Sequence, residues 1–321
     1  MSEPSIKLNE PWLVAVWPGM GNVALTAGYY LMSKMQMVQV AEFGASELFD
    51  VDQVEVKEGI VAPAALPRSR FFVWRDPAGR RDIVVFIGEA QPPVGKYTFC
   101  HKLLDFAETL GVTRLFTFAA MGTQMHPTDR CRVFGVATDQ PGVDELERLE
   151  VESLEEGQIT GLNGVLLAVG AERGLKGQGL LGEMPVYASQ IVFPKASLAV
   201  LEIFTTLAGL NVQFLTLKEH AAGMERKLTE LLERMQQAMD PESGEGGEMN
   251  FGLPSEWAEQ KPEPSGRPQR TELEAEDIEK LEKLFDEAEL DRSKAYELKQ
   301  ELDRLSVFKQ YEDRFLDLFK R

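Results

Sequence analysis

The residues best suited to binding chemistry stand in a glycine-containing turn near the start of the chain. A short apolar run ends at Pro18, and Gly19, Gly21 and Asn22 follow it before a helix-like segment begins. Glycines between a strand and a helix allow backbone N–H groups to point at an anion. The turn lacks the Lys and Ser/Thr of a Walker loop and the third glycine of a dinucleotide fingerprint. It therefore predicts either an anion site or a tight turn with close helix–strand packing.

A second set of polar residues follows two segments that we predict to be central strands. Glu89 and Gln91 come after one apolar run, and Thr123, His126 and Asp129 come after the next. The carboxyl ends of parallel strands meet at one sheet edge, where open α/β folds place ligand crevices, so these side chains could line one shallow pocket. A polar rim at a subunit contact is the alternative interpretation. The candidate ligand-binding residues are thus Gly19, Gly21, Asn22, Glu89, Gln91 and Thr123.

Catalytic and metal chemistry have little support in the sequence. There are no paired carboxylates at a fixed spacing and no Ser or Cys in a nucleophile elbow, so we assign no catalytic residue. The three histidines share no ligand spacing, and Cys100 and Cys131 each stand alone. We therefore expect no metal site, no cofactor and no disulfide framework.

Alternating apolar segments must position the candidate residues. Strands are predicted over 12–17, 38–43, 82–88 and 114–119, and helices over 23–35, 95–110, 162–171 and 195–207. The continuous β-branched run Ile83–Ile87 is typical of a parallel strand that is buried on both faces. The repeated order of strand, loop and helix predicts an α/β domain over residues 1–239, with parallel strands and crossover helices.

The composition changes after Met239. Residues 240–270 are rich in Pro, Gly, Ser and Glu, which predicts a flexible linker, although Phe251, Leu253 and Trp257 could form a short docking motif. Residues 271–321 then show two helical patterns, each with one apolar face and many charges opposite. Two such helices can bury their apolar faces against one another, so we predict a charged helical hairpin or a short coiled coil.

The overall charge narrows the classes of partner. A formal net charge of −18 argues against nucleic acid, whose binding depends on clustered cations, and against anionic membrane surfaces. No 18-residue stretch is apolar enough to span a bilayer, and the first residues lack the pattern of a signal peptide. These features predict a soluble, cytoplasmic protein.

Three stretches, in this order, resemble one known family. They are Trp17–Ala24, Gly161–Leu167 and Leu180–Tyr187, with the sequences WPGMGNVA, GLNGVLL and LLGEMPVY. Together they make residues 11–239 similar to the proteasome assembly chaperone family, in the branch that is similar to its second subunit.

The resemblance implies a fold and a role. The fold would be a three-layer α/β sandwich of the phosphorylase/hydrolase type with a mostly parallel central sheet, here followed by the C-terminal α-helical hairpin. Characterised members are chaperones for proteasome α-type subunits, many prokaryotic members are homo-oligomers, and no catalytic residue is carried over. Docking members often end in a hydrophobic residue, Tyr and any residue, whereas this chain ends Leu318-Phe319-Lys320-Arg321.

Two hypotheses about function follow from these observations. The first is a non-catalytic, self-associating scaffold or assembly chaperone that binds a protein partner, which is either proteasome-related or another assembly. The second is a small-molecule hydrolase or phosphorylase that acts on a nucleoside-like or acyl substrate at the candidate pocket.

Overall fold

The computed structural model describes residues 6–50, 66–239 and 273–320, together with 54, 56, 57, 59–61 and 63 between the first two ranges. The predicted linker 240–270 and its apolar island lie outside the described residues. No helix within the described ranges is long and apolar enough to cross a membrane.

The described residues form ten strands and nine α-helices. In chain order, strands β1 to β10 are Trp12–Val16, Val38–Glu42, Val56–Lys57, Ile60–Val61, Ser69–Trp74, Ile83–Gly88, Arg114–Thr123, Val133–Ala137, Glu152–Ser153 and Lys176–Pro185. Helices α1 to α9 are Val23–Lys34, Lys96–Thr109, Gln140–Glu147, Leu162–Glu172, Pro194–Ala208, Leu215–Met239, Ala275–Leu290, Ala295–Arg304 and Phe308–Asp317.

Eight of these strands form one mixed sheet in the order β2-β5-β6-β1-β7-β10-β8-β9. The central strands β6, β1, β7 and β10 run parallel, whereas β5 and β8 pair antiparallel on the two sides of this group. Every residue of β1 and β6 is buried, as the continuous apolar runs predicted. The predicted α/β class is therefore confirmed.

Helices cover both faces of the sheet and complete a three-layer sandwich. Alternate strand residues point to opposite faces, so Leu13 and Ala15 join one core while Trp12, Val14 and Val16 join the other. The core on one face is built with α2 and α4, and the core on the other with α1, α5, α6 and the C-terminal helices. The predicted sandwich with C-terminal helices is confirmed.

The C-terminal part differs from the prediction in the number of its helices. The second predicted helix is divided into α8 and α9, because Ser306 has a left-handed φ of 56°. The amide of Val307 donates to the carbonyl of Leu302 at 3.0 Å, and that of Ser306 donates to Asp303 at 3.0 Å. This pair of bonds is the Schellman arrangement that ends a helix, and helical periodicity alone does not reveal it.

The C-terminal helices also pack on the α/β domain, which the sequence did not predict. Phe285, Tyr296, Phe315 and other apolar residues of α7–α9 belong to the same core as α1. The amide of Gln39 in edge strand β2 donates to the carbonyl of Phe319 at 2.7 Å. A one-sided apolar pattern shows that a helix must be covered but not what covers it. The division of the chain into units 1–239 and 271–321 stays a prediction.

Candidate functional site

The candidate residues lie along one edge of the sheet, which we call the carboxyl edge. Strands β1, β6, β7 and β10 all end there, and the antiparallel strands β5 and β8 begin there. Open α/β folds bind ligands at such an edge. The structure therefore places the predicted residues at the expected edge, and their contacts decide which of them form a site.

The glycine-containing turn after β1 makes several backbone hydrogen bonds to other parts of the chain. The amide of Gly21 donates to the carbonyl of Ser189 at 2.8 Å, and that of Asn22 donates to Gly19 at 3.0 Å. In return the carbonyl of Gly21 accepts from the amide of Phe193 at 2.9 Å. Since the amides of Gly21 and Asn22 already have acceptors, this geometry favours the tight-turn interpretation.

Close packing explains why the turn needs glycine at position 21. Gly21 has φ of 60°, and a Cβ atom there would stand 2.7 Å from the sulfur of Met184. Asn22 also has a left-handed φ, of 47°, a region that asparagine tolerates better than most residues. The turn thus joins α1 to the end of β10 and the start of α5.

Gln91 connects two neighbouring loops at the same edge by hydrogen bonds. Its amide nitrogen donates to the carbonyl of Pro18 at 3.0 Å, and its oxygen accepts the amide of Leu162 at 3.1 Å. Gln91 therefore links the turn to the first residue of α4 and satisfies one amide that a helix start leaves unpaired. The contacts give it a positioning role between loops.

Glu89 belongs to a separate ion-pair cluster, which we call the covered end because α9 lies over it. The cluster consists of Glu42, Arg68, Arg70, Glu89, Lys309, Glu312 and Asp313. Glu89 accepts from the Arg70 guanidinium at 2.8 Å and from the Arg68 amide at 2.9 Å. Arg70 is only 1% exposed, so nearly all of its charge must be balanced by protein groups.

Burial has a marked effect on the carboxyl group of Glu312 at the covered end. Loss of hydration raises its pKa, and the nearby Lys309 ammonium lowers it by a smaller amount. The Tyr29 hydroxyl, which lies 3.4 Å from this carboxyl, is wholly buried, and burial raises its pKa well above the usual value. These are groups held in the core against a helix, and no open ligand cavity among those described contains them.

Thr123 lies in a second cluster, which we call the open end and which consists of Thr123, Arg132, Glu152 and Glu183. The Thr123 hydroxyl donates to Glu183 at 2.8 Å, and Arg132 donates to the same carboxylate at 2.6 and 2.9 Å. The hydrogen bonds from Arg132 hold the pKa of Glu183 below its usual value, although burial opposes this. A surface cavity of about 360 Å³ adjoins the cluster.

The remaining predicted residues, His126 and Asp129, lie in the turn after β7, near the open end. Asp129 lines the same cavity as Thr123 and accepts the amide of His126 at 2.8 Å. The His126 ring lies 2.7 Å from the Thr128 hydroxyl, in the turn after β7. Of the residues predicted to line one pocket, Thr123 and Asp129 line the same cavity. Glu89 and Gln91 are not among the lining residues of that cavity, and they bond to Arg70 and to Pro18.

An exposed apolar patch adjoins the open end, and the sequence did not predict it. Met20, Val186 and Tyr187 are 40%, 42% and 46% exposed. Met20 and Val186 flank Gly122, since a Cβ atom there would stand 3.3 Å from a side-chain atom of each. We call Met20, Gly122, Val186 and Tyr187 the open-end patch. The available signal was Val186-Tyr187 directly after Pro185, but exposure cannot be read from a sequence.

These contacts leave the edge with one covered end and one open end. Comparison with known proteins agrees with the fold. A family model described as PAC2 family matches residues 13–232. The chain belongs to the PAC2 family. An uncharacterized Methanocaldococcus jannaschii protein, MJ1210, is 26% identical over 226 residues, which are 68% of this chain and 82% of that protein.

Two solved structures from Pyrococcus furiosus are similar to this PAC2 family chain. PbaB, described as an archaeal proteasome activator, has 27% identity and a TM-score of 0.61, and the match covers 74% of this chain and 97% of PbaB. PbaA, an archaeal homolog of proteasome-assembly chaperone, has 26% identity and a TM-score of 0.56 over 73% of this chain and 92% of PbaA. The resemblance to proteasome assembly chaperones is confirmed at the level of family and fold.

Proposed function

We propose that this protein is a non-catalytic, self-associating, cytoplasmic scaffold that binds subunits of a proteasome-type particle as an assembly chaperone does. Membership of the PAC2 family and the similarity to PbaA and PbaB support this choice of partner. The alternative, a hydrolase or phosphorylase, has less support, because the amides of Gly21 and Asn22 in the predicted anion turn donate within the chain.

The observation that carries the proposal is the open-end patch. Large side chains that stay exposed side by side at a sheet edge mark surfaces for protein contact. The patch lies next to the charged pair Arg132 and Glu183, so it has the apolar centre and polar rim of a protein interface. A partner would bury Met20, Val186 and Tyr187 together.

Affinity capture of the tagged full chain from its native host tests the proposal. We expect α-type proteasome subunits, identified by mass spectrometry, in the eluate of the unaltered chain. The Met20→Glu, Val186→Glu double variant should recover about tenfold less of these subunits, because two charges would enter an apolar contact.

The matched control is Leu290→Glu, which places the same charge on an apolar residue that is 91% exposed at the end of α7. It should recover as much partner as the unaltered chain. The proposal is wrong if proteasome subunits are absent from the eluate, or if the double variant and the control recover equal amounts.

Self-association has its own measurement. The mass of one chain is 35.9 kDa, so light scattering of the purified protein should give an integral multiple of at least two. A mass of one chain across micromolar concentrations would contradict this part of the proposal, and it would leave the patch test unaffected.

A further inference from the structure

The C-terminal segment 273–320 covers a surface of the family domain but lies outside the residues that the family model matches. PbaB is matched over 97% of its length by 74% of this chain, so part of this chain has no counterpart in that relative. The segment lies outside the matched family domain, and its contacts show what kind of partner the covered surface accepts.

The apolar part of the surface is an aromatic face of α1. Tyr29 meets Phe308 and Phe315 with ring centroids 5.4 and 5.6 Å apart, and Tyr30 meets Tyr296 at 4.7 Å. All three pairs have the edge-to-face geometry that aromatic rings prefer. The surface therefore recognises rings spaced along one side of a helical segment.

The polar rim of the surface is a pair of arginines that grips one carboxylate. Arg68 and Arg70 both donate to the same oxygen of Asp313, at 2.7 and 2.5 Å. At the other end of α1, Lys34 pairs with Glu297 at 3.0 Å. In these pairs the domain supplies the cation and the segment supplies the carboxylate, whereas Lys309 of the segment pairs with Glu89 of the domain at 3.7 Å. Complementary charges thus position the segment on the domain.

The rim is open to water although the aromatic centre is not. The side chain of Asp313 is 69% exposed and that of Arg68 is 37% exposed. Water and salt can therefore reach the pair of Arg68 and Asp313 and weaken it, whereas Arg70 is 1% exposed. Thirty-three residues separate Met239 from Leu273, so the segment is joined to the domain by a long stretch of chain.

We propose that the surface of α1, Arg68 and Arg70 is a docking site for an amphipathic helix, and that residues 273–320 occupy it as an exchangeable internal ligand. The helix that fits has aromatic residues on one side and a carboxylate at the position of Asp313. A protein partner that presents such a helix must displace the segment, so the segment controls access to the site.

An exchange experiment on the full chain tests this proposal. A site-specific protease sequence is inserted after Met249, the purified protein is cleaved, and a fluorescein-labelled peptide of residues 273–320 is added. We expect the peptide to replace the cleaved segment within a day, seen as a rise in fluorescence anisotropy. The uncleaved protein should bind the peptide at least about tenfold more weakly, because its own segment competes at high effective concentration.

Two altered peptides test the role of the arginine clamp. A peptide with Asp313→Lys should bind about tenfold more weakly, because it places a cation against two arginines. Its matched control is Asp317→Lys, on the same helix, because Asp317 pairs with Lys320 inside the segment. The control peptide should bind as the unaltered peptide does.

The proposal is overturned if no labelled peptide enters the cleaved protein, if the far-ultraviolet circular dichroism of the domain collapses as the segment leaves, or if both altered peptides lose affinity equally. The first two outcomes would make the segment a permanent part of the fold. The experiment contains no proteasome subunit, so it succeeds or fails independently of the proposed function.

Discussion

The two ends of the carboxyl edge are built from the same materials but differ in what lies over them. Each has a carboxylate held by arginine: the partly buried Glu89 by Arg70 at the covered end, and the buried Glu183 by Arg132 at the open end. At the covered end the chain adds its own helix α9, whereas the open end carries a cavity and exposed apolar residues. One end is therefore covered by the chain's own C-terminal helix, whereas the other end leaves apolar side chains exposed.

Glu312 and Glu183 show the difference in their titration. Burial raises the pKa of Glu312, which shares the covered end with Glu89, whereas hydrogen bonds from Arg132 lower the pKa of Glu183. Hydrogen bonds to the charged form favour it, and loss of hydration disfavours it. The surroundings of Glu183 thus stabilise its charged form, whereas burial of Glu312 destabilises its charged form.

Removing the central cation should have the largest effect on the covered end. Arg70→Met leaves Glu89 without its buried partner, and breaking such a pair costs about 3 kcal/mol of unfolding free energy. Arg68→Met is the matched control, because Arg68 is partly exposed and its loss should cost less than about 1 kcal/mol. Urea unfolding of both variants measures the difference, and equal losses would contradict the description of the covered end.

Acid should lower the free energy of unfolding by protonating His220, which belongs to α6 and contacts α8. The ring of His220 lies 3.0 Å from the Tyr296 hydroxyl, and burial lowers its pKa to about 4. The nearby Asp303 carboxylate favours the charged ring, while Lys299 and Lys227 oppose it. A base with a lowered folded pKa contributes stability that is complete above its unfolded pKa and is lost as pH falls through the window from about 6.5 to 4.

The expected loss through His220 between pH 7 and pH 5 is about 1–2 kcal/mol, after allowance for partial exposure. Urea unfolding at both pH values, compared between the unaltered chain and His220→Gln, isolates this contribution from the carboxylates. The variant should lose less stability on acidification. If both proteins lose the same amount, protonation of His220 is not coupled to unfolding.

Replacing a glutamate by glutamine should change the free energy of unfolding in opposite directions at the two ends. At pH 7, Glu183→Gln should cost about 1 kcal/mol because it removes charge-assisted bonds to Arg132. Glu312→Gln should be neutral or stabilise by up to about 1 kcal/mol, because it removes a carboxylate whose burial is unfavourable. Denaturant unfolding of the two variants measures both values.

The contributions of Glu183 and Glu312 to the free energy of unfolding should also change with pH in opposite directions. The stability due to Glu183 is present above its unfolded pKa and is lost as pH falls through its lowered folded pKa. The cost of Glu312 is present above its raised folded pKa and disappears as pH falls through that value. If Glu183→Gln and Glu312→Gln both lower the free energy of unfolding, the two carboxylates have the same effect on stability and the two ends do not differ in this respect.

Much of the fold could be predicted because burial leaves a clear sequence pattern. The run Ile83–Ile87 predicted a central strand, and the apolar pattern over 195–207 predicted the helix α5. The carboxyl edge followed from the order of strands and helices. These features depend on local sequence and on the layering of the sheet.

The site could not be predicted in the same way because its contacts join distant parts of the chain. Glu89 meets Arg70 and then α9, and Asp313 is 243 positions from the Arg70 that it contacts. Nothing in the amphipathic pattern of α9 indicates that its carboxylate reaches a β-strand. The turn at Gly21 was correctly located, but its amide acceptors became known only from the structure.

The most direct test of the account is site-specific photo-crosslinking of the full chain in its native host. A photoreactive residue is placed at Tyr187 at the open end in one variant and at Lys309 at the covered end in another, because Lys309 lies 3.7 Å from Glu89 and is mostly exposed. The products are identified by mass spectrometry. We expect position 187 to join a proteasome α-type subunit, and position 309 to join this protein's own peptide containing Glu89. Crosslinks of position 187 only within the chain, or none from position 309 to that peptide, would contradict the account.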